Sequence, residues 1–182
     1  AKAANVGFDK NADITTGPVI DGRAWARLKG LVDNAVADGA KLLAGGGRPA
    51  GLNAGHYLAP TVLTDVTETM EVYRQETFGP IVSIVSFDDQ TDLLRMANDC
   101  EEGGLTAYIF TRDLARAEHY AAHLRYGEIQ INGVKYDIDL PHGGIGQAGI
   151  GHDCSSLALH DYLVQKRITR ALDTTTFGGL NP

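Results

Sequence analysis

An α/β fold built on a parallel sheet with crossover helices is the architecture this 182-residue sequence predicts, and three observations predict it. Beyond Met70, apolar stretches of strand length alternate with amphipathic stretches of helix length, in the order strand, helix, strand, helix, strand. Within the helical stretches apolar residues recur at intervals of three and four, which gathers them on one face. Gly, Pro, Asn and Asp separate the stretches and mark the turns. With 43% hydrophobic and 21% charged residues, the composition is that of an ordinary globular chain with enough apolar surface to bury a core.

Residues 1 to 22 are rich in Asp, Asn, Thr, Gly and Pro and read as loop, broken at Gly17-Pro18. Arg23 to Asp38 is the first helix, with Trp25, Leu28, Leu31, Val32 and Ala35 on one face and Gly39 as its stop. Lys41 to Ala44 is a short strand running into Gly45-Gly46-Gly47, and Tyr57 to Val66 is extended. Pro60 has no N–H to give to a ladder and predicts an edge position or a bulge there. Pro80 to Phe87 is predicted as the first buried strand of the alternating unit, Gln90 to Asn98 as a helix with Leu93, Leu94 and Ala97 inward, and Leu105 to Thr111 as the second strand. Asp113 is placed to cap a helix reaching Arg125, with Leu114, Ala117, Tyr120, Ala121 and Leu124 on its inner face. Gly127 ends that helix and Glu128 to Asn132 is the third strand. A loop rich in Gly and Asp reaches His152, a short helix spans Ser155 to Tyr162, Leu163 to Leu172 reads as a last strand, and residues 173 to 182 as a frayed tail.

A formal charge of −7 argues against nucleic acid and anionic membranes as partners, because both are held by clustered Lys and Arg. The longest basic cluster, Lys166 and Arg167 with Arg170, alternates with apolar residues as a half-buried strand does. No apolar run approaches the roughly 18 residues of a membrane span. Two cysteines in no zinc-type spacing make no disulfide framework, so a reducing, cytoplasmic location is expected. The chain opens without Met and without a leader pattern, which suggests a piece of a longer parent.

Four motifs invite chemistry. Residues 144 to 149 fit GxGxxG, but Tyr136 to His142 cannot form the apolar strand that must lead into a dinucleotide fingerprint, and the next helix starts late. The five glycines 143, 144, 146, 149 and 151 are better read as places where backbone passes close to something bulky. His152, Asp153 and Cys154 are adjacent, which rarely makes side chains converge, so an inert thiol beside a capping Asp or Ser is expected; Cys100 beside Glu101 and Glu102 is worse placed for a thiolate. His119 and His123 lie one helical turn apart but opposite the apolar face, without a third ligand, so no metal site is expected. In Glu76-Thr77-Phe78-Gly79-Pro80 a carboxylate and an aromatic ring sit at a loop-to-strand junction, where Glu76 could accept hydrogen bonds from a ligand diol or could simply be a solvated acid beside a core Phe.

That last segment resembles the ExFGP motif of the NAD(P)-dependent aldehyde dehydrogenase superfamily, and its flanks agree in order from residue 3 to 172. They include Gly17-Pro18, Ala40 to Leu43 before the three glycines, Pro60-Thr61-Val62-Leu63, Asn98 followed by Gly104-Leu105, Gly127 to Asn132, and Pro141-His142-Gly143-Gly144. The resemblance implies the C-terminal part of that enzyme's catalytic domain, a three-layer α/β parallel sheet over residues 1–162, with an oligomerisation strand and tail at 163–182. It implies oxidation of an aldehyde to a carboxylic acid by hydride transfer to NAD or NADP from a cysteine thiohemiacetal. The nucleophile lies upstream of this chain, so no catalytic residue is expected within it and the chain alone should be inactive. By the same resemblance Glu76 and Phe78 are cofactor-binding, on the nicotinamide ribose and the nicotinamide. Gln75 departs from the acid usual there. Residues 133 to 142 correspond to a wall of the aldehyde channel, with Tyr136, Asp137 and His142 as its polar members, where many relatives have an aromatic in place of His142. A small aldehyde, polar or amino-bearing, and a homo-oligomeric state, dimer or tetramer, are the implied partners. The competing expectation is a catalytically inactive oligomerisation or binding module that keeps the fold.

Overall fold

The computed structural model describes residues 1–8, 13–99 and 102–170. Cys100, the end of the expected last strand and the tail lie outside the described residues. The chain enters through a loop tied by a parallel bridge between Val6 and Thr16 and then forms helix α1, Gly22–Ala37. The helix starts where it does because the Asp21 carboxylate accepts from the Ala24 N–H at 2.7 Å. It stops where Gly39 takes a left-handed φ of 108°.

Three strands follow this helix into one sheet: β1 (Lys41–Ala44), β2 (Thr61–Thr64) and β3 (Ile81–Ser83), in that spatial order. β1 pairs antiparallel with β2 through a bulge between Leu42 and Ala44, and β2 pairs parallel with β3. β2 is therefore the central strand, against the edge position that Pro60 predicts. Pro60 stands one residue before the first paired position, so its missing N–H is never asked for, and Thr61 N instead donates to the Pro80 carbonyl at 2.8 Å. Between β2 and β3 the short helix α2, Glu71–Arg74, is an element the periodicity did not predict, being a single turn.

The second half holds α3 (Gln90–Asn98), β4 (Thr106–Ile109), α4 (Leu114–His123) and β5 (Glu128–Ile131). Asp89 and Asp113 cap α3 and α4 by accepting from Asp92 N and Arg116 N. β4 and β5 pair parallel in register from Thr106 opposite Glu128 to Ile109 opposite Ile131. A 3-10 turn at Gly146–Ala148 and a 3-10 helix at Ser156–Tyr162 complete the described elements.

The architecture is α/β, as expected, but the sheet is divided: three strands of mixed direction and, separately, two parallel strands. The core divides with it. Leu28, Leu31, Val32 and Ala35 of α1 pack with Leu58, Leu63, Val66, Met70, Val72 and Ile81 around the first sheet. Ile109, Ala117 and Tyr120 form a smaller cluster, joined by Leu93, Leu94, Ala121, Leu124 and Ile129. Full burial of a Leu or Val is worth about 1.5–3 kcal/mol, so the first cluster is the stronger. β3 is shorter than the expected Pro80–Phe87 strand and not buried along its length: Val82, Ile84 and Phe87 are about half exposed. Leu114 is likewise exposed rather than inward, since it opens α4 before the helix reaches its partners. Between the segment after β3 and the unpaired edge of β4 runs a groove of about 740 Å³, lined by Phe87, Leu93, Tyr108, Phe110 and Tyr126 among others. Residues 163–170 are exposed and make no strand pairing among the described residues.

Candidate functional site

Two loops carry the residues singled out above. The first runs from the end of α2 into β3. Gly79 lies against the buried Leu28 so closely that a Cβ there would fall 2.5 Å from Leu28 Cδ1, which anchors the loop to α1. Arg27, the preceding residue of α1, donates to the carbonyls of Glu76 and Thr77, and the Glu102 carboxylate accepts from Glu76 N at 2.5 Å. The backbone of Glu76 is thus held from two sides, while its carboxylate is exposed with no hydrogen-bond partner among the described residues. Phe78 is 77% exposed at a left-handed φ of 45°, a strained position for an aromatic residue. A core Phe is thereby excluded, and so is a Glu whose acid serves the fold. Arg27 and Glu102 were not visible in the sequence as parts of this loop, because 49 and 26 residues separate them from Glu76.

The second loop leaves β5 and returns through the glycines. Its backbone packs on backbone: a Cβ at Gly127 would sit 1.7 Å from the Gly143 carbonyl oxygen, so that crossing admits glycine alone. The bulky neighbour expected beside these glycines is in this case the chain itself. Tyr136 and His142 face each other edge to face, ring centroids 6.2 Å apart. They border a cavity of about 350 Å³ that also touches Glu128, Asp137 and Leu140. Asp137 accepts from Lys135 Nζ at 3.1 Å and from Asp139 N at 3.2 Å, and the lysine above all holds its carboxyl below the usual carboxylate range. Tyr136 Oη lies 2.8 Å from Cys154 Sγ, and that hydrogen bond raises the phenol, keeping it protonated at neutral pH.

Asp153 does form an acid–histidine pair, but not with its neighbour His152. It bonds His142 Nδ1 at 2.9 Å, because an antiparallel bridge brings residues 142 and 153 opposite each other. With Cys154 occupied by Tyr136 and a carboxylate near each nitrogen of His142, no Cys-His nucleophile is assembled. Residues 144 to 149 follow no strand and open only a 3-10 turn, which is not the geometry of a dinucleotide fingerprint. His119 and His123 stack at 4.4 Å on the exposed face of α4, and no group of three or more His, Cys, Asp or Glu suited to a metal occurs among the described residues. No helix among the described residues is long and apolar enough to cross a membrane. No hydrogen bond joins the Glu76 loop to the Tyr136–His142 loop directly, although Gly104, two residues after Glu102, accepts from both Gly127 N and Ile145 N.

An α/β chain with an outward carboxylate and ring on one loop and a polar cavity on another has the form of part of a cofactor-dependent enzyme. Comparison with known proteins gives the class its family: the aldehyde dehydrogenase family profile matches residues 1–168, and the chain belongs to that family. It is 39% identical over 160 residues to the glutarate-semialdehyde dehydrogenase of Pseudomonas aeruginosa, covering 87% of this chain and 32% of that one. It is 32% identical over 167 residues to the peroxisomal aminoaldehyde dehydrogenase 1 of Pisum sativum, covering 91% and 33%. The crystal structure of betaine aldehyde dehydrogenase from Staphylococcus aureus in complex with NAD+ superposes with a TM-score of 0.84 at 32% identity, over 95% of this chain and 36% of that one. The chain spans about a third of the length of the relatives it matches.

Proposed function

We propose that this chain is the C-terminal portion of an NAD- or NADP-dependent aldehyde dehydrogenase that oxidises an aldehyde to a carboxylic acid, with the cysteine nucleophile on the upstream part of the parent. The observation that carries this reading is the Glu76–Phe78 loop. Its backbone is fixed by Arg27 and Glu102, while its acid and its ring are turned outward with nothing in the chain to satisfy them. A free carboxylate fits the two hydroxyls of a ribose, each charge-assisted bond being worth about 1.5–3 kcal/mol, and an exposed ring fits a flat pyridinium. The nicotinamide cofactor supplies the hydride acceptor. Glu76 and Phe78 fix where its ring lies, and positioning of this kind is a large part of the rate.

In the same reading Tyr136, Asp137 and His142 form one wall of the aldehyde channel, and the substrate is a small polar or amino-bearing aldehyde. Residues 1–162 belong to the catalytic domain, where strands of the parent fill the 740 Å³ groove and unite the two sheets into one three-layer fold. Residues 163–182 form the oligomerisation strand and tail of a homo-oligomer. The exposed, unpaired 163–170 suits strand addition, and Lys166 and Arg167 would guard that edge against unwanted pairing. The test is aldehyde-dependent reduction of NAD or NADP by the complete parent and by the 182-residue chain alone. The parent should turn over and the chain should not; turnover by the chain, or a parent without an upstream cysteine, would refute the reading.

A further inference from the structure

Both ring nitrogens of His142 face a carboxylate: Nδ1 lies 2.9 Å from Asp153 Oδ1, and Nε2 lies 4.0 Å from Glu128 Oε2. The two acids come from different elements. Asp153 is fixed by reciprocal backbone hydrogen bonds with His142, of 2.9 and 2.8 Å. Glu128 opens β5, where its Oε2 accepts from Thr106 Oγ1 at 3.2 Å and its Oε1 accepts from the Gln130 amide. Gln130 is itself pinned to both the N–H and the carbonyl of Lys135. The imidazole is therefore set between two acids that are each held in place by a further contact, and Glu128 and His142 border the same 350 Å³ cavity.

The charge of this arrangement is negative whichever form the imidazole takes. Two carboxylates around a neutral ring leave two negative charges, and around an imidazolium they leave one. The remaining charged pair at the cavity, Lys135 and Asp137, cancels internally. Tyr136 adds a ring face and an un-ionised phenol to the same cavity, a surface that attracts cations. A neutral aldehyde seated there would take water from the acids and return nothing, whereas an ammonium group would replace the lost solvation.

We infer that Glu128, acting with Asp153 through His142, determines specificity by making this wall accept aldehydes that carry an ammonium group at the end remote from the aldehyde. Glu128 and Asp153 are positioning residues for the His142 ring and sources of the wall's charge. The inference rests on the proposed role of residues 133–142 as a channel wall, and it narrows the polar substrate class to cationic aldehydes.

The experiment compares kcat/KM of the complete parent for 4-aminobutanal and for the similarly sized neutral 4-hydroxybutanal, in wild type, Glu128→Gln and Glu128→Asp. Wild type should prefer the cationic aldehyde. Glu128→Gln should cut that preference by about fivefold or more, chiefly through KM, and Glu128→Asp should restore most of it. A preference ratio does not depend on how much of a variant is folded, so loss of structure alone cannot mimic the result. A wild type that prefers the neutral aldehyde, or a smaller change in Glu128→Gln, overturns the inference and leaves the dehydrogenase reading standing. A wild type that oxidises no aldehyde with either cofactor overturns both.

Discussion

Glu76 shows how one residue's role depends on what is done to its backbone rather than to its side chain. Arg27 and Glu102 hold its carbonyl and N–H, and its carboxylate is left to solvent. Glu76→Gln in the complete parent is accordingly expected to lower kcat by about tenfold or more, because a displaced reacting atom is costly in rate. The thermal unfolding midpoint should stay where it is, since no protein group loses a partner. Loss of stability in step with activity would place Glu76 in the fold instead. The motif around Glu76 was legible because Gly79 and Pro80 punctuate it so clearly. Arg27, Glu102, Glu128 and Asp153 were not, because what joins each to its loop is a contact across the fold and no local pattern marks them.

At the scale of elements the sequence was most informative where a helix is amphipathic and capped. α1 and α3 fall within a residue of expectation because an Asp at each N-terminus satisfies free N–H groups and the apolar residues repeat at helical spacing. The Asp21 cap has a pH signature. Its carboxyl is held below the ordinary value of 3.8, chiefly by the Ala24 N–H and further by Arg23, with desolvation opposing. The folded state therefore gains from the ionised form. That gain is complete above the unfolded value and is lost as pH falls through the folded one. Asp21→Asn, which can still cap, should make unfolding free energy flatter than wild type as pH drops through and below about 4, as read by urea denaturation across pH. An identical acid profile in the two proteins would show that the cap carries no linkage. Strands were less legible: Pro60 suggested an edge, yet β2 is central because one residue's offset removes the conflict.

For the whole molecule the divided sheet is decisive. Apolar side chains such as Phe87, Tyr108 and Phe110 are half exposed or more, along a groove larger than a chain of this size ordinarily leaves open. The 182-residue chain alone should bind a hydrophobic dye such as ANS strongly and self-associate as concentration rises, measured by fluorescence and light scattering. The complete parent should do neither to the same degree, and equal dye binding by both would mean that the groove stays open in the parent.

The sequence by itself determined the α/β class, the helices and their caps, and the motif order that carries the aldehyde dehydrogenase resemblance, because these rest on spacing along the chain and on local hydrogen bonding. Only the tertiary structure decided that the sheet is split and that Phe78 faces outward. It alone set Asp153 and Glu128 about His142, because pairing across a fold is chosen by packing and register between residues that the linear order keeps apart.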